Sequence, residues 1–189
     1  TGSIGGVVAA TLDVRGHEVV RASRSGEQNV DVTDPASIRS LFERVGPVDA
    51  VVVAVGSVPF KPLTDLDRDD YLSAFTGKTL AQLDVVRIAL DHVADGGSIT
   101  LTSGVLAREP IASGAAAAMA NGALESFVIT AAAEAPRGIR INAVSPAVLA
   151  HSPGYFSAFP GHRPVTDDEV GQAYVRAVEG IVSGRVLPV

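Results

Sequence analysis

The 189-residue sequence predicts one α/β domain over residues 1–189, a doubly wound parallel sheet with helices on both faces in three α/β/α layers. Short runs rich in Val and Ile, each bounded by Gly, Pro or Asp, are typical of strands that are buried on both sides. Helical patterns separate these runs, and that alternation is typical of right-handed βαβ units. The predicted strands cover residues 18–22, 28–30, 49–55, 98–102, 140–144 and 185–188.

The predicted helices are recognised by the residues at their ends. Asp34 followed by Pro35 is an N-cap with proline at the first helical position, and Gly16 suits the position just after a helix. Thr166 and Glu169 have the spacing of a capping box, in which each side chain bonds the backbone of the other residue. The predicted helices cover residues 4–15, 35–44 and 112–135, and two more begin near residues 67 and 166.

The composition excludes several classes of protein. The formal net charge is −6 without a block of like charges, which argues against nucleic acid or an anionic membrane as partner. There is no cysteine, so disulfides, thiolate catalysis and cysteine-ligated metals are excluded, and a reducing cytoplasm fits. Apolar stretches such as residues 48–55 are much shorter than the ~20 residues that a membrane helix needs. We therefore expect a cytoplasmic protein without a membrane partner.

The chain opens on the glycine-rich sequence Thr1-Gly2-Ser3-Ile4-Gly5-Gly6, directly before the first predicted helix. Such a turn lets backbone amides approach a diphosphate, and the helix N-terminus adds positive potential. Gly2, Ser3, Ile4 and Gly5 are therefore predicted to contact a nucleotide, the alternative being a plain tight connection. Because the motif works only after a strand, we expect an apolar strand that ends in another glycine before Thr1.

Two residue pairs indicate which nucleotide is bound. Ser23 and Arg24 end the strand predicted after the first helix, where an NAD-preferring site would place an acidic residue for the ribose hydroxyls. Arg24 can instead bind a 2′-phosphate through two parallel hydrogen bonds, so the sequence favours NADP(H) over NAD(H). Asp31 and Val32 follow the next strand, where a carboxylate could accept from the adenine amino group. A plain turn residue ahead of the Asp34 cap is an equal alternative for Asp31.

With three further motifs, the chain resembles the short-chain dehydrogenase/reductase family over essentially its whole length. These motifs are Val-Ala-Val-Gly at residues 53–56, Ser-Ile-Thr-Leu-Thr-Ser at 98–103 and Arg-Ile-Asn-Ala-Val-Ser-Pro at 140–146. The resemblance implies a Rossmann-type fold that binds NADP(H) and a small-molecule substrate. It places four more residues beside the cofactor: Ala54, Val55, Gly56 and Pro146. It also implies a homo-oligomer, dimer or tetramer, formed by the helix over 112–135 and the long helix before it.

The resemblance further implies a catalytic set of Tyr, Lys, Ser and Asn. Ser103 matches the serine, which holds the substrate oxygen. The Tyr and Lys positions fall at Ala117 and Asn121, which supply neither a phenol nor a charge. The asparagine position falls at Lys78, which we interpret as a replacement proton donor, the alternative being an exposed helix lysine. Asn121 is predicted to bond the nicotinamide ribose or, alternatively, only a polar neighbour.

Two functions remain open. The favoured hypothesis is an atypical NADP(H)-dependent reductase of a small carbonyl or enone compound, with Ser103, Lys78 and Asn121 as catalytic residues. A positioned general acid contributes roughly 10²–10⁴ in rate, so the loss of the Tyr slows the reaction without forbidding it. The alternative is a non-catalytic NADP(H)-binding sensor or regulatory module.

The segment over residues 147–165 is rich in Gly and Pro and is predicted to be a substrate lid. Tyr155 within it is either a second proton donor or a residue that lines an apolar pocket. Tyr71 and Tyr174 are interpreted as packing residues, and His151 and His162 do not have the spacing of metal ligands, so no metal site is predicted.

Overall fold

The computed structural model describes residues 2–189, and its strands lie in two parallel sheets. Strands β1 (Ala22–Ser23) and β2 (Gln28–Asn29) pair with each other. The larger sheet has the order β3-β4-β5-β6 and is formed by β3 (Val48–Val53), β4 (Val93–Thr102), β5 (Arg140–Ser145) and β6 (Val186–Pro188). Every strand pairing within these residues is parallel, as the alternation of strands and helices predicts.

Within residues 2–189, six α-helices connect the strands. They are α1 (Ser3–Val14), α2 (Pro35–Val45), α3 (Arg68–Ala74), α4 (Ala81–Ala89), α5 (Ala115–Glu134) and α6 (Asp167–Glu179). A π-helical turn, Phe75–Leu80, joins α3 to α4, so that the three segments form one long helix. Short 3-10 turns cover Leu63–Asp65, Val105–Ala107, Pro136–Gly138 and Pro153–Ala158.

The helices cover both faces of the larger sheet and bury two separate cores. On one face, Ile38 of α2, Val85 of α4 and Leu124 of α5 pack with the sheet residues Ile99 and Ile141. On the other face, α1 and α6 pack against Val144 and Leu187 through their buried side chains, which are Val8, Leu12, Val170, Tyr174, Ala177 and Val178. The predicted three-layer, doubly wound class is therefore confirmed.

The caps that define the helix ends are also present. The Asp34 side chain accepts a hydrogen bond from the amide of Ala36 at 2.8 Å and starts α2. Thr166 and Glu169 form the predicted capping box at the start of α6. Asp67 forms a second capping box with Asp70 at the start of α3, where a helix was expected. Each cap satisfies amides that the first helical turn leaves without partners.

The predicted strand over residues 18–22 is wrong over most of its length, because β1 begins only at Ala22. Its valines are β-branched, but β propensity produces a strand only where a partner backbone lies alongside. Here the partner is β2, and it pairs with Ala22 and Ser23 alone. Val20 is exposed, and Val19 is only partly buried against the core of α1 and α6. The strand expected before Thr1 lies outside the described residues.

Helix α5 corrects the expectation that the apolar stretches of this chain are much shorter than a membrane helix. At 20 residues it is long and apolar enough to cross a membrane by length and composition, and it is the one such helix within residues 2–189. Leu124 and Val128 are fully buried in the core beside the sheet, which is how a core helix of a globular protein packs. We interpret α5 as a core helix, and the absence of a membrane partner stays a prediction.

Candidate active site

The glycine-rich turn forms the N-terminus of α1. Helix α1 begins at Ser3 with Gly2 as its N-cap, and no side chain within residues 2–189 caps it. Gly2 and Ser3 are exposed, and Ile4 and Gly5 are half-buried. Uncapped first-turn amides and the positive end of the helix dipole attract an anion. The geometry is therefore suited to a diphosphate, as the sequence predicts.

Ser23 and Arg24 lie at the end of β1, close to Asp31. The Asp31 carboxylate accepts hydrogen bonds from the hydroxyl and the amide of Thr33, at 2.7 and 2.9 Å. These bonds, with the positive charge of Arg24, lower the pKa of Asp31. The bonds to Thr33 are those of a turn residue, and the contact of Asp31 with an adenine amino group stays a prediction. Val32 is half-buried against the core.

Three predicted cofactor residues continue directly from β3: Ala54, Val55 and Gly56. Gln82 of α4 donates to the carbonyl oxygens of Val55 (3.0 Å) and Thr102 (2.9 Å), and so ties the carboxyl ends of β3 and β4 together. Gly56 lies against Lys78, because a Cβ added at Gly56 would be only 2.6 Å from the Cγ of that lysine. The absence of a side chain at Gly56 leaves room for the lysine stem.

Lys78 lies in the π-helical turn, a kind of local distortion that is frequent at functional sites. Its Nζ donates to the backbone carbonyl oxygen of Ser103 at 3.0 Å. Lys78 is half-buried, and burial lowers its pKa to about 8 because it disfavours the ammonium ion. Lys78 is therefore not a solvated surface lysine. Its role as a proton donor stays a prediction.

The Ser103 hydroxyl faces helix α5. Ser103 is 3% exposed, and its Oγ donates to Oε1 of Glu125 at 2.8 Å. Oε2 of Glu125 pairs with Arg108, whose other terminal nitrogen donates to Oγ of Ser145 at 2.9 Å. A continuous polar chain thus runs from Ser103 through Glu125 and Arg108 to the end of β5.

Sequence reasoning missed Glu125 and Arg108. One signal was available: Glu125 is the only charged residue within the first 19 positions of α5, on a helix that is otherwise small and apolar. It also lies one helical turn beyond Asn121, on the same face. Arg108 lies in an irregular connection after β4, and nothing in the local sequence indicates its partner.

Ala117 and Asn121 are both buried, at 2% and 3% exposure. Asn121 packs on Gly104, since a Cβ added at Gly104 would lie 3.0 Å from its Nδ2. Its Oδ1 has no hydrogen-bond partner within residues 2–189. A buried amide oxygen without a partner costs roughly 1–3 kcal/mol. Such an atom fits a site completed by a bound hydroxyl, such as that of a nicotinamide ribose, and this fit is one reason to expect a dinucleotide there.

A cleft of about 330 Å³ opens beside Arg108, between the connection after β4 and the start of α5. Arg108 is the one charged residue in its lining, which otherwise consists of Leu106, Ala107, Pro110, Ile111, Gly114, Ala115 and Ala118. The buried Pro146 lies behind this connection, and its carbonyl oxygen accepts from the amide of Val105 at 3.0 Å. The cleft and the polar chain of Ser103 therefore share Arg108.

The predicted lid, residues 147–165, is anchored at both ends of its irregular part. His151 lies 2.5 Å from the Asp167 carboxylate, and His162 lies 3.5 Å from that of Glu109. Tyr155 is exposed and forms no side-chain hydrogen bond with the described residues, so the structure does not bring it to Ser103. No group of three or more metal-ligating side chains occurs within residues 2–189.

Tyr174 was interpreted as a packing residue, and it is fully buried in the core beneath α1 and α6. Its hydroxyl also lies 2.6 Å from the Oγ1 of Thr102, so it has a polar partner. Burial raises its pKa, which disfavours any role as an acid near neutral pH.

A parallel sheet between helices, a helix N-terminus without a side-chain cap at the glycine-rich turn, and a half-buried lysine bonded to the serine after β4 are typical of a nucleotide-binding α/β protein of the oxidoreductase type. Comparison with known families agrees. The chain belongs to the short-chain dehydrogenase/reductase family, through a match of residues 2–177 to the family described as enoyl-(acyl carrier protein) reductase.

Curated relatives are fungal reductases. The chain is 36% identical over 140 residues to hydroxynaphthalene reductase arp2 of Aspergillus fumigatus, which covers 69% of this chain and 51% of the relative. It is 30% identical over 176 residues to versicolorin reductase stcU of Emericella nidulans, covering 77% of this chain and 65% of the relative. The chain thus spans about half to two thirds of the length of these relatives.

Solved structures share the whole fold. The protein lin1944 from Listeria innocua has a TM-score of 0.96 and 40% identity, covering 100% of this chain and 95% of that one. A small-chain dehydrogenase in complex with NADPH has a TM-score of 0.87 and 27% identity, covering 100% of this chain and 92% of that one.

Proposed function

We propose that this protein is an NADP(H)-dependent reductase that transfers hydride to a small carbonyl or enone compound, with a site that departs from its family at the Tyr and Lys positions. The observation that carries the proposal is the placement of Lys78. Its Nζ donates to the Ser103 carbonyl at 3.0 Å, and its pKa is about 8. A cationic side chain with a pKa near neutrality, beside the serine expected to hold the substrate oxygen, is the proton donor that the missing Tyr would otherwise supply.

The residues present fit NADP(H). The open amides at Ser3, Ile4 and Gly5 would hold the diphosphate, and Arg24 would bind the 2′-phosphate. The unpartnered Oδ1 of Asn121 would accept from a ribose hydroxyl. The bound cofactor supplies the hydride. A dehydrogenase of the same fold at 27% identity was solved with NADPH, which supports this cofactor.

The chain's own residues would then orient the substrate and move a proton. Ser103 would hold the substrate oxygen, and Lys78 would donate a proton to that oxygen as negative charge develops on it. A general acid of this kind contributes roughly 10²–10⁴ in rate. Polycyclic aromatic ketones are one substrate class to include, because two curated relatives are named hydroxynaphthalene and versicolorin reductases.

The test follows the hydride itself. The protein is mixed with NADPH deuterated at C4 and a panel of carbonyl and enone compounds, and the products are analysed by mass spectrometry. We expect deuterium at the carbon that accepts hydride, and a loss of about 10²-fold or more in its rate of appearance for Lys78→Met. Binding of NADPH without any transfer across the panel would refute the reductase.

One feature of the site favours a second function. Ala117 is buried and Ser103 donates its hydroxyl proton to Glu125, so neither presents a proton to a substrate. This arrangement suits a non-catalytic NADP(H)-binding sensor, which needs nucleotide affinity and a conformational response but no turnover. Tight NADPH binding without deuterium transfer is the result that this function predicts.

We also propose a homo-oligomer in a reducing cytoplasm. Large apolar side chains are exposed along the long helix and α5, where the family resemblance places a subunit interface: Leu72, Phe75, Leu80, Met119 and Ile129. The absence of cysteine is compatible with a reducing compartment. A light-scattering mass of two or four times 19.3 kDa would support the assembly, and a monomer would refute it.

A further inference from the structure

The hydrogen bond between Ser103 and Glu125 has a direction. A carboxylate oxygen only accepts, so Ser103 is the donor across the 2.8 Å contact. A serine hydroxyl has a single proton and two lone pairs. While the ionised Glu125 holds its proton, Ser103 meets a substrate with its lone pairs and accepts from a hydroxyl. When Glu125 is protonated and donates to Ser103, the serine proton is free to bind a carbonyl oxygen.

The carboxylate is itself fixed in place. Arg108 pairs with Oε2 of Glu125 and donates to Oγ of Ser145, so a single guanidinium bridges α5 and the end of β5. The Glu125 side chain is only 13% exposed, which limits competition from water for its oxygens. A positioned carboxylate within hydrogen-bond reach of a hydroxyl is the geometry of a general base.

We propose that Glu125 is a positioning residue and proton acceptor that acts through Ser103, an inference that rests on the proposed function. In the oxidation of a secondary alcohol, the electron pair of the carbinol C–H bond leaves as hydride to the oxidised nicotinamide. The substrate O–H proton passes to Oγ of Ser103, and the original Ser103 proton passes to Glu125. The O–H electron pair becomes part of the new C=O bond. In the reduction, protonated Glu125 returns its proton along the same path, which is a second route to the substrate oxygen beside the Lys78 ammonium, so Lys78→Met and Glu125→Gln each remove one route.

The residues that line the cleft beside Arg108 indicate which substrate the site accepts. Its lining is apolar except for Arg108, which also holds Glu125. We therefore expect an alcohol or enol with a compact apolar body to lie against Leu106 and Ile111, in the cleft that Arg108 connects to Glu125.

Glu125→Gln tests the inference, because glutamine keeps the size of the side chain but takes up no proton. The substrates are the secondary alcohols that correspond to the carbonyl compounds reduced in the deuterium experiment, with NADP⁺ as oxidant. We expect kcat for oxidation to fall about 10²–10⁴-fold, with KM and NADPH affinity unchanged. Glu134→Gln is the matched control, since Glu134 is an exposed glutamate on the same helix.

The outcomes separate this inference from the function on which it rests. Wild-type turnover together with an unchanged kcat in Glu125→Gln overturns the role of Glu125 alone. Absence of turnover in the wild type refutes the reductase, and the role of Glu125 with it. If Glu125→Gln does not fold, Arg108→Lys is used, because lysine cannot bond Glu125 and Ser145 through two coplanar nitrogens. We then expect a smaller loss of kcat, and an unchanged kcat overturns the inference.

Discussion

Gln82 and Thr102 are joined by two hydrogen bonds that imitate the pairing of neighbouring strands. Nε2 of Gln82 donates to the Thr102 carbonyl, and Oε1 accepts from the Thr102 amide, both at 2.9 Å. Gln82 is fully buried, and the same Nε2 also reaches the carbonyl of Val55. The side chain therefore replaces backbone partners at the carboxyl ends of β3 and β4, directly before Ser103 and Gly56.

Gln82→Leu should destabilise the protein by about 2–4 kcal/mol, because it leaves the Thr102 amide and the two carbonyl oxygens buried without partners. The measurement is the free energy of unfolding from urea titration. Gln172→Leu is the control, since Gln172 is an exposed glutamine on α6. Equal losses in the two variants would contradict the role of Gln82.

The lowered pKa of Lys78 gives stability a dependence on pH. The pKa is about 8 in the folded protein against 10.5 for an ordinary lysine, so the unfolded chain binds more protons between these pH values. Stability should therefore rise with pH through this window, by on the order of 1–3 kcal/mol, and Lys78→Met should remove the rise. Urea titrations at about pH 7.5, 9 and 10 would measure this rise, because these pH values span most of the range between the folded and the unfolded pKa of Lys78.

Lys61→Met is the control for this pH dependence. Lys61 is exposed and pairs with Asp70, which raises its pKa instead of lowering it. The Lys61→Met variant should keep the rise in stability above the pKa of Lys78. A rise that persists in Lys78→Met and is lost in Lys61→Met would show that Lys78 is not desolvated.

Much of the fold could be predicted from the sequence because its signals are local. The N-cap at Asp34 and the capping box at Thr166 depend on residues two or three positions away, and both are present. Strand β5 contains the β-branched residues Ile141 and Val144 and is buried along nearly all its length. The short β1 could not be predicted, since its extent depends on what lies beside it and not on its own valines.

The site could be predicted only in part, and for a related reason. The family resemblance identified Ser103 and Lys78 as site residues. It did not predict their contact, in which the lysine Nζ donates to the backbone carbonyl oxygen of Ser103, 25 positions away in the chain. The partner of the Ser103 hydroxyl is Glu125, 22 positions away on α5. Such pairs are set by how the long helix and α5 pack on the sheet, which no local pattern encodes.

Arg24 should decide which nucleotide is bound. Arg24→Ala should weaken NADPH binding about 10–100-fold and leave NADH binding nearly unchanged, because only NADPH carries the 2′-phosphate that a guanidinium would bind. Titration of nicotinamide fluorescence measures both affinities. Arg21→Ala is the matched control, since Arg21 is exposed nearby but pairs with Asp13. If both arginine variants lower NADPH affinity equally, the effect is one of general charge.

Gly56→Ala should displace Lys78 from Ser103. A Cβ at Gly56 would lie 2.6 and 2.8 Å from Cγ and Cδ of Lys78, so the lysine stem must move. We expect a loss of about 1–3 kcal/mol in the free energy of unfolding, as for other overpacked positions. The displaced lysine should also be hydrated, so the pH dependence of stability described for Lys78 should flatten in the same variant.

Gly122→Ala is the control, because a Cβ there meets nothing within 4 Å on α5, and alanine should stabilise that helix by about 0.5–1 kcal/mol. A Gly56→Ala protein that keeps the wild-type pH dependence would show that Lys78 holds its position without the space left by Gly56.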